Sequence, residues 1–213
     1  MPSNVRQSFL ECAEACGPLL SSSETAAKWR EPSALQDWSV GGLSAHLVRA
    51  LTNVERFLDV PVEKGGEPVS AGAYYAAVVD SWDLDSQLHR DIRARSDEMA
   101  AGGHESIVDL FEAALERLQV RLLTEPADRL VTVLNELVMT LDDYLRTRIV
   151  ELTLHADDVA VSIGAETPAF SEEIATIAIE TMIETSRVRY GDLAILRALG
   201  RRERDQHDAA RVF

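Results

Sequence analysis

The sequence predicts an all-α protein built as a bundle of long helices. Apolar residues recur at spacings of three and four along most of the 213 residues, which is the period of a helix with one buried face. One run of β-branched residues, 129–134 (RLVTVL), predicts a short extended segment. Breakers such as Gly102-Gly103 and Pro126 separate the helical patterns, and no internal repeat or low-complexity run is present. We therefore expect a helical bundle.

Composition and charge limit the function classes. Hydrophobic residues make up 46% and charged residues 27%, as in a globular protein, and the formal net charge is −15. Such a surface repels phosphate backbones and anionic membranes, so neither nucleic acid nor membrane is an expected partner. No apolar run reaches the roughly 18–20 residues of a membrane span, and the N-terminus lacks the pattern of a signal peptide. The sequence predicts a cytoplasmic protein.

The first helical pattern covers residues 5–20. We expect Gly17-Pro18 to kink or restart this helix, because proline lacks a backbone N–H and clashes with the preceding turn. Residues 21–28 are expected to continue it. Cys12 and Cys16 lie four residues apart on one face, without the C-x-x-C spacing, and two thiols do not complete a zinc site. They are predicted to be small packing residues.

The second helical pattern covers residues 38–58 and follows a loop at 29–37. Ser39 or Asp37 is suited to cap it, since short polar side chains accept hydrogen bonds from the first free N–H groups. His46 lies on the same face as the apolar residues of this helix and is expected to point towards the core.

The remaining helices follow from the same periodicity and are predicted at residues 73–99, 106–124, 140–163, 171–187 and 193–201. Gly102-Gly103 ends the first of these, Pro126 follows the second, and Gly164 is in the position that a C-cap glycine prefers. The charged tail, residues 201–213, is expected to fray.

A line of polar residues runs along the helix predicted at 140–163. Its members are Tyr144, Arg148, Glu151, His155 and Asp158, and apolar residues lie on both sides of the line. A charged stripe with apolar flanks points inward or lines a cleft, and buried charges persist when they are paired or bind metal. Glu151 and His155 are four residues apart, so their side chains lie on one side of the helix. This is a two-ligand metal spacing.

Two segments together resemble those of a known family. The first contains Trp29, Pro32-Ser33, Trp38-Ser39-Val40 and His46, and the second contains Arg148, Glu151, His155 and Asp158. They resemble the W…P-S/T…W-S/T-V…H and R-x-x-E-x-x-x-H-x-x-D segments of the metal-binding domain of mycothiol-dependent maleylpyruvate isomerases. That domain belongs to the DinB-like superfamily of four-helix bundles. The resemblance implies a DinB-like metal-binding four-helix bundle over residues 1–165. Residues 166–213 would then be a short helical C-terminal extension packed on the bundle.

The resemblance implies a metal site. In that family, a histidine of the second helix joins a glutamate and a histidine of a later helix to hold a divalent ion, usually zinc, and here the ligands would be His46, Glu151 and His155. Two imidazoles and one carboxylate suit Zn²⁺ and leave a fourth position for water or substrate. A thiol at that position would lose its proton, consistent with mycothiol as the thiol cosubstrate. Asp158 is a candidate acceptor for an imidazole N–H, and Arg148 is a candidate to neutralise Glu151 or hold an anionic substrate group.

Each of these residues also has an ordinary structural interpretation. His46 would be a hydrogen-bonded core histidine, Arg148 and Glu151 a helical ion pair, and His155 and Asp158 a helical surface pair. Three inward-facing polar residues in the family's order favour the metal site over this combination. The other histidines lie in polar surroundings and are expected on the surface: His89, His104 and His207.

Two departures from the family pattern are visible in the sequence. Gly41-Gly42 is expected to loosen the first turn before His46, because glycine adds backbone freedom. The isomerases also append a separate C-terminal domain that contributes to the active site, whereas only about 48 residues follow Gly164 here. Trp29 and Trp38 are interpreted as packing residues that fill the space under the loop before the second helix, rather than as residues that stack on a substrate.

Two function classes remain open. The first is an enzyme, a mycothiol-dependent S-transferase or isomerase acting on small electrophiles, with conjugation favoured over maleylpyruvate isomerisation. The second is a non-catalytic metal-binding bundle with a structural or stress-related role. The expected partners are a low-molecular-weight thiol and a small electrophile, and the expected state is a monomer or homodimer. The pattern identifies no residues for binding the thiol itself.

Overall fold

Helices dominate the computed structural model, which describes residues 4–62, 66–78, 86–204 and 209–212. In chain order the elements are α1 (Asn4–Leu20), α2 (Ser23–Ala27), α3 (Val40–Asp59), α4 (Ala71–Val78), α5 (Gln87–Ala100), α6 (His104–Thr124), β1 (Leu130–Thr132), β2 (Val138–Thr140), α7 (Leu141–Ile163), α8 (Glu172–Tyr190) and α9 (Asp192–Gly200). The predicted all-α class is confirmed.

Four long helices form the frame. Helix α1 packs against α6 and α7, and α3 packs against the same two helices, so the four enclose a common core. Fully buried side chains from all four fill that core, among them Phe9, Leu47, Phe111 and Leu145. Helix α5 lies on the outside of α3, and α8 packs on α4 and α7. The division into a bundle at residues 1–165 and an extension at 166–213 stays a prediction.

The short hairpin before α7 fixes where that helix begins. Strand β1 pairs antiparallel with β2, with Leu130 opposite Thr140, so the extended segment predicted at 129–134 is confirmed. Thr140 ends β2 and caps α7, its hydroxyl accepting a hydrogen bond from the N–H of Asp143 at 3.0 Å. At the other end Gly164 adopts the left-handed conformation, with φ 76°, as expected of a C-cap glycine.

The prediction of one helix over residues 73–99 is wrong. Helix α4 and helix α5 are separate elements, and residues 79–85 between them lie outside the described ranges. Ser86 has an extended backbone, with ψ 155°, and its hydroxyl accepts from the N–H of His89 at 3.3 Å. A serine cap starts a new helix at this point, which apolar periodicity does not detect.

The first helix ends at Leu20, as predicted, but it does not restart at Gly17-Pro18, and residues 21–28 contain a separate helix instead of continuing it. Gly17-Pro18 lies within α1, and the helix ends after Leu20 rather than at the proline. Helix α2 then begins anew at Ser23, because Ser22 caps it by accepting from the N–H of Thr25 at 3.1 Å. A proline in the last turn removes few helix bonds, so it does not decide where α1 ends.

The paired glycines at the start of α3 serve close packing. A Cβ on Gly41 would lie 2.7 Å from the indole of Trp29, and one on Gly42 would lie 2.5 Å from a carboxylate oxygen of Asp97. The helix is regular from Val40, with the Ser39 hydroxyl accepting from the N–H of Gly42 at 2.9 Å. The expected loosening before His46 is therefore wrong, because the glycines let Trp29 and α5 approach the helix.

The C-terminal part continues the helical pattern. Helix α8 adds Ile174, Ile177 and Ala178 to the main core, while Ala194, Ile195 and Ala209 form a small separate cluster. Residues 205–208, within the tail expected to fray, lie outside the described ranges. Among the described residues, no helix combines the length and apolarity needed to span a bilayer.

Candidate metal centre

Three side chains from two helices converge at one point. His46 projects from the second turn of α3, and Glu151 and His155 project from successive turns of α7. The Nε2 atoms of His46 and His155 lie 3.5 Å and 3.3 Å from Oε2 of Glu151. A ligand atom from each of the three lies within 4.8 Å of one from each of the others, and no other such group occurs in the described ranges.

These separations suit a bound cation better than direct hydrogen bonds. Charge-assisted N–H···O bonds are shorter, at about 2.7–2.9 Å. Around a tetrahedral zinc ion, bond lengths near 2.0–2.1 Å place neighbouring ligand atoms about 3.3–3.5 Å apart. The observed distances of 3.3 Å and 3.5 Å match that spacing. The donor set of two imidazole nitrogens and a carboxylate oxygen therefore fits zinc both in type and in separation.

The outer nitrogen of His155 is held by Asp158. Its Nδ1 lies 3.0 Å from Oδ2 of Asp158, which leaves Nε2 as the atom facing Glu151. A carboxylate on the far ring nitrogen fixes the tautomer and orientation of a metal-binding imidazole. The structure thus places the Asp158 carboxylate beside the outer ring nitrogen of His155. For His46, Nδ1 has no hydrogen-bond partner among the described residues.

Tyr75, which the sequence interpretation missed, supports Glu151 from α4. Its hydroxyl lies 2.9 Å from Oε1 of Glu151 and 2.7 Å from the main-chain oxygen of Thr147, and the residue is 1% exposed. The carboxylate is therefore divided: Oε2 faces the two histidines, while Oε1 receives Tyr75. Tyr75 lies outside both family-like segments, so no motif in the sequence could identify it.

Arg148 is a buried cation beside the three converging side chains. Only 8% of the residue is exposed, its Nε donates to the Thr147 hydroxyl at 3.0 Å, and its guanidinium lies 4.9 Å from the centre of the Tyr144 ring. The nearest carboxylate contact of its Nη2 is Oε1 of Glu151 at 3.7 Å, which is too long for a hydrogen bond. Its terminal nitrogens are left with donor capacity next to Glu151.

The ionisation of the three converging side chains reflects burial and their mutual contacts. Burial raises the pKa of Glu151, but its polar contacts with His155 and His46 and the charge of Arg148 outweigh burial, so its pKa lies well below the usual value. Burial lowers the pKa of His46 to about 4, against the opposing pull of Glu151. Burial also lowers the pKa of His155, but Asp158 and Glu151 outweigh it and raise the pKa to about 9. Glu151 and His46 are in their ligand forms at neutral pH, whereas His155 carries a proton.

A cavity of about 260 Å³ opens beside the three side chains. Helices α3, α4, α5 and α7 line it, and Trp38 forms part of the wall, with its ring centre 5.1 Å from that of His46. Trp38 is therefore a cavity residue as well as a plug, whereas Trp29 packs on Gly41 and donates from its indole N–H to Ala100. A ligand inside the cavity would touch the candidate metal position directly.

The remaining histidines differ from the expectation of three surface residues. His89 is half-buried and lines the cavity. His104 is half-buried, with Nε2 2.7 Å from the main-chain oxygen of Leu20 and its ring against Trp29. His207 lies outside the described residues. Their polar sequence neighbours do not reveal these contacts, because tertiary packing makes them.

A comparison with family models identifies the family of this chain. Residues 11–160 match the family model described as the mycothiol maleylpyruvate isomerase N-terminal domain, a DinB-like domain. Neither the search of curated proteins nor that of solved structures found a match. The matched segment contains α3 and α7 nearly complete, and with them His46, Glu151 and His155. The chain belongs to the mycothiol maleylpyruvate isomerase N-terminal domain family.

Proposed function

We propose that His46, Glu151 and His155 bind one divalent metal ion, with zinc preferred, and that the protein transfers a small thiol of the mycothiol kind to an electrophile. The observation that carries the proposal is the convergence of three ligand atoms on the wall of a cavity, with each histidine at a tetrahedral zinc separation, 3.3 Å or 3.5 Å, from Glu151. Structural zinc sites are closed by four protein ligands, whereas catalytic sites use three and keep one position open. A three-ligand set at a cavity supports chemistry.

The nucleophile in this reaction comes from the cosubstrate. Cys12 and Cys16 are buried, and Cys16 Sγ lies 3.2 Å from the main-chain oxygen of Cys12, away from the residues that line the cavity. Burial and the neighbouring Cys16 raise the pKa of the Cys12 thiol far above its usual value, so it stays protonated and unreactive. A zinc ion, when bound, favours the thiolate form of a thiol that reaches its open position. The thiol proton leaves to solvent, and the sulfur bonds to an electrophilic carbon. In a substitution the bond from that carbon to its leaving group breaks, as with the chloride of monochlorobimane. In an addition the π bond breaks and the second atom takes a proton from solvent.

The chain's own residues orient and stabilise the reactants. Asp158 holds the imidazole of His155, and Tyr75 holds Glu151, so both ligands keep a fixed direction. The terminal nitrogens of Arg148 face the cavity side of Glu151, where they would steady a carboxylate or a developing negative charge. Trp38 and Phe57 contribute apolar wall that excludes water from the reacting groups.

The alternative function is a non-catalytic metal-binding bundle. The observation that favours it is the placement of the ligands on two frame helices, α3 and α7, so that one ion would tie these helices together. The maleylpyruvate isomerase reaction itself is the narrower catalytic alternative.

The catalytic proposal is tested by offering thiols to the zinc-loaded protein. Mycothiol, glutathione and bacillithiol are each mixed with monochlorobimane, and the rate of conjugate formation is measured by fluorescence. We expect a rate above background with one thiol that disappears in Glu151→Ala and after chelation, and that persists in the surface control Glu116→Ala. If no thiol is turned over and none changes the absorption spectrum of the cobalt-substituted protein, the non-catalytic alternative is correct.

A further inference from the structure

The cavity has a charge balance opposite to that of the whole chain. Acidic residues outnumber Lys and Arg by 36 to 21 in the sequence. Among the described residues that line the cavity, by contrast, Glu151 is the one carboxylate, and several are arginines, which are Arg49, Arg56, Arg93, Arg95 and Arg148. Since Glu151 faces the two histidines, a bound metal ion would make the cavity more positive still.

These arginines come from three helices that only the tertiary fold brings together. Arg49 and Arg56 are seven residues apart on one face of α3, which equals two helical turns. Arg93 and Arg95 are on α5, and Arg148 is on α7. In this structure the three helices direct cations into one space.

Several arginines elsewhere in the described chain bind carboxylates at hydrogen-bond distance. Arg117 makes two bonds to Glu55, at 2.6 Å and 3.0 Å. Arg187 binds Asp192 at 2.6 Å. Arg6 shows the same pattern when buried, with a 2.9 Å bond to Asp142.

Arg49 and Arg56 have no carboxylate at hydrogen-bond distance within the described residues. Arg49 donates to the main-chain oxygen of Ile92 at 3.2 Å and to the Ser96 hydroxyl at 3.1 Å, but to no carboxylate. Arg56 lies over the ring of its neighbour Phe57.

Arg148 is the third arginine of the group, and its carboxylate contact is with Oε1 of Glu151 at 3.7 Å, beyond hydrogen-bond distance. It is more than nine-tenths buried, and its terminal nitrogens make no hydrogen bond within the described part of the chain. Burial, with repulsion from Arg95, Arg148 and Arg56, lowers the pKa of Arg49. Arginines that line one cavity repel one another, and an anion among them would relieve the repulsion.

We propose that Arg49, Arg56 and Arg148 form an anion subsite, and that the cavity binds a small molecule bearing at least two anionic oxygen groups, carboxylate or phosphate. Guanidinium groups bind both through paired N–H donors. The volume of about 260 Å³ limits the ligand to a small metabolite-sized molecule. Identifying this molecule as the electrophile rests on the proposed function, whereas anion binding itself requires no metal.

The binding test uses succinate and pyrophosphate as probes, with the neutral diamide of succinate as the uncharged comparison. Calorimetric titrations are run on the zinc-loaded protein and on the protein from which a chelator has removed the metal. We expect at least one dianion to bind both forms, and the diamide to bind neither. The carboxylate and phosphate arms identify which oxyanion the subsite prefers.

Matched variants separate the subsite from general electrostatics. The pair Arg49→Gln with Arg56→Gln removes two charges from the cavity, and Arg117→Gln with Arg187→Gln removes two from the surface. We expect the cavity pair to weaken dianion binding on the order of 10- to 100-fold, the loss typical of charged hydrogen bonds. The surface pair should change binding less than twofold. Arg56→Gln alone, at an exposed position, should also weaken binding if the double variant proves unstable.

Three results would overturn the subsite. These are equal weakening in both variant pairs, equal affinity for the diamide, or no dianion binding by the folded protein. Dianion binding that survives chelation while thiol transfer is absent would reject the proposed function and keep the subsite. Thiol transfer without dianion binding would reject the subsite and keep the proposed function.

Discussion

Zinc binding should release one proton per ion at pH 6.0, and that proton should come from His155. In the metal-free protein His155 has a pKa of about 9 and is fully protonated at this pH, while His46, with a pKa of about 4, is already neutral. Glu151 is ionised, since its pKa is well below the usual value. With ordinary histidine pKa values near 6.5, the two imidazoles together would release about 1.5 protons. The asymmetric environment therefore predicts about 1.0.

The same proton sets the pH dependence of affinity. Zinc competes with the proton on His155, so its apparent affinity should rise about tenfold per pH unit, or about 100-fold between pH 6 and pH 8. The metal-free protein should show the opposite trend in stability. Because the folded pKa of His155 is raised, its contribution, on the order of 3 kcal/mol, is present below pH 6.5 and is lost as pH rises towards 9.

Calorimetry in buffers of different ionisation enthalpy measures the protons released, and competition with a chelator of known affinity measures the binding constant. The reasoning is refuted if about 1.5 or more protons leave at pH 6.0, or if the affinity does not change between pH 6 and pH 8. Asp158→Asn serves as a further control. Removing this carboxylate lowers the proton affinity of His155, so the number of protons released should fall below one.

Three other predictions concern zinc affinity and the stability of the fold. Tyr75→Phe removes the hydroxyl next to Glu151 and should weaken zinc binding on the order of 10-fold while the protein stays folded, as measured by chelator competition and circular dichroism. Gly41→Ala should destabilise the protein by about 1–3 kcal/mol in urea unfolding, since the added Cβ meets Trp29, whereas Gly200→Ala, with open space around it, should not. Chelation should lower the melting temperature of the zinc-loaded protein, because bound zinc adds about 3–4 kcal/mol to the free energy of unfolding when free zinc is at several hundred to a thousand times the dissociation constant. Chelation should not change the melting temperature of the variant that lacks both histidine ligands.

The sequence predicts the elements that local patterns specify. Helix α7 follows from its apolar stripe and from Gly164, and Thr140 at its start is a residue type that caps helices. The pairing of Glu151 with His155 follows from helix geometry, since four residues make about one turn. The choice of His46 as the third residue depended on the family resemblance, because nothing local connects α3 to α7.

The features that the sequence does not predict arise from tertiary packing or from single polar contacts. Tyr75 reaches Glu151 because α4 packs on α7, and the cavity arginines meet because α5 packs on α3. Helix α5 begins as a separate helix because Ser86 caps it. A single serine within a helical pattern does not predict such a cap. Strand β2 is three residues long and lacks a periodic signal of its own.

The central claim is tested most directly by metal content. The chain is purified without a histidine tag, and zinc per chain is measured by mass spectrometry for the wild type, for the His46→Ala, His155→Ala double variant, and for Glu116→Ala as an exposed control. Because the three side chains converge at the spacing of zinc ligands, we predict about one zinc per chain in the wild type and the control, and almost none in the double variant. Equal zinc in the wild type and the folded double variant would contradict the assignment.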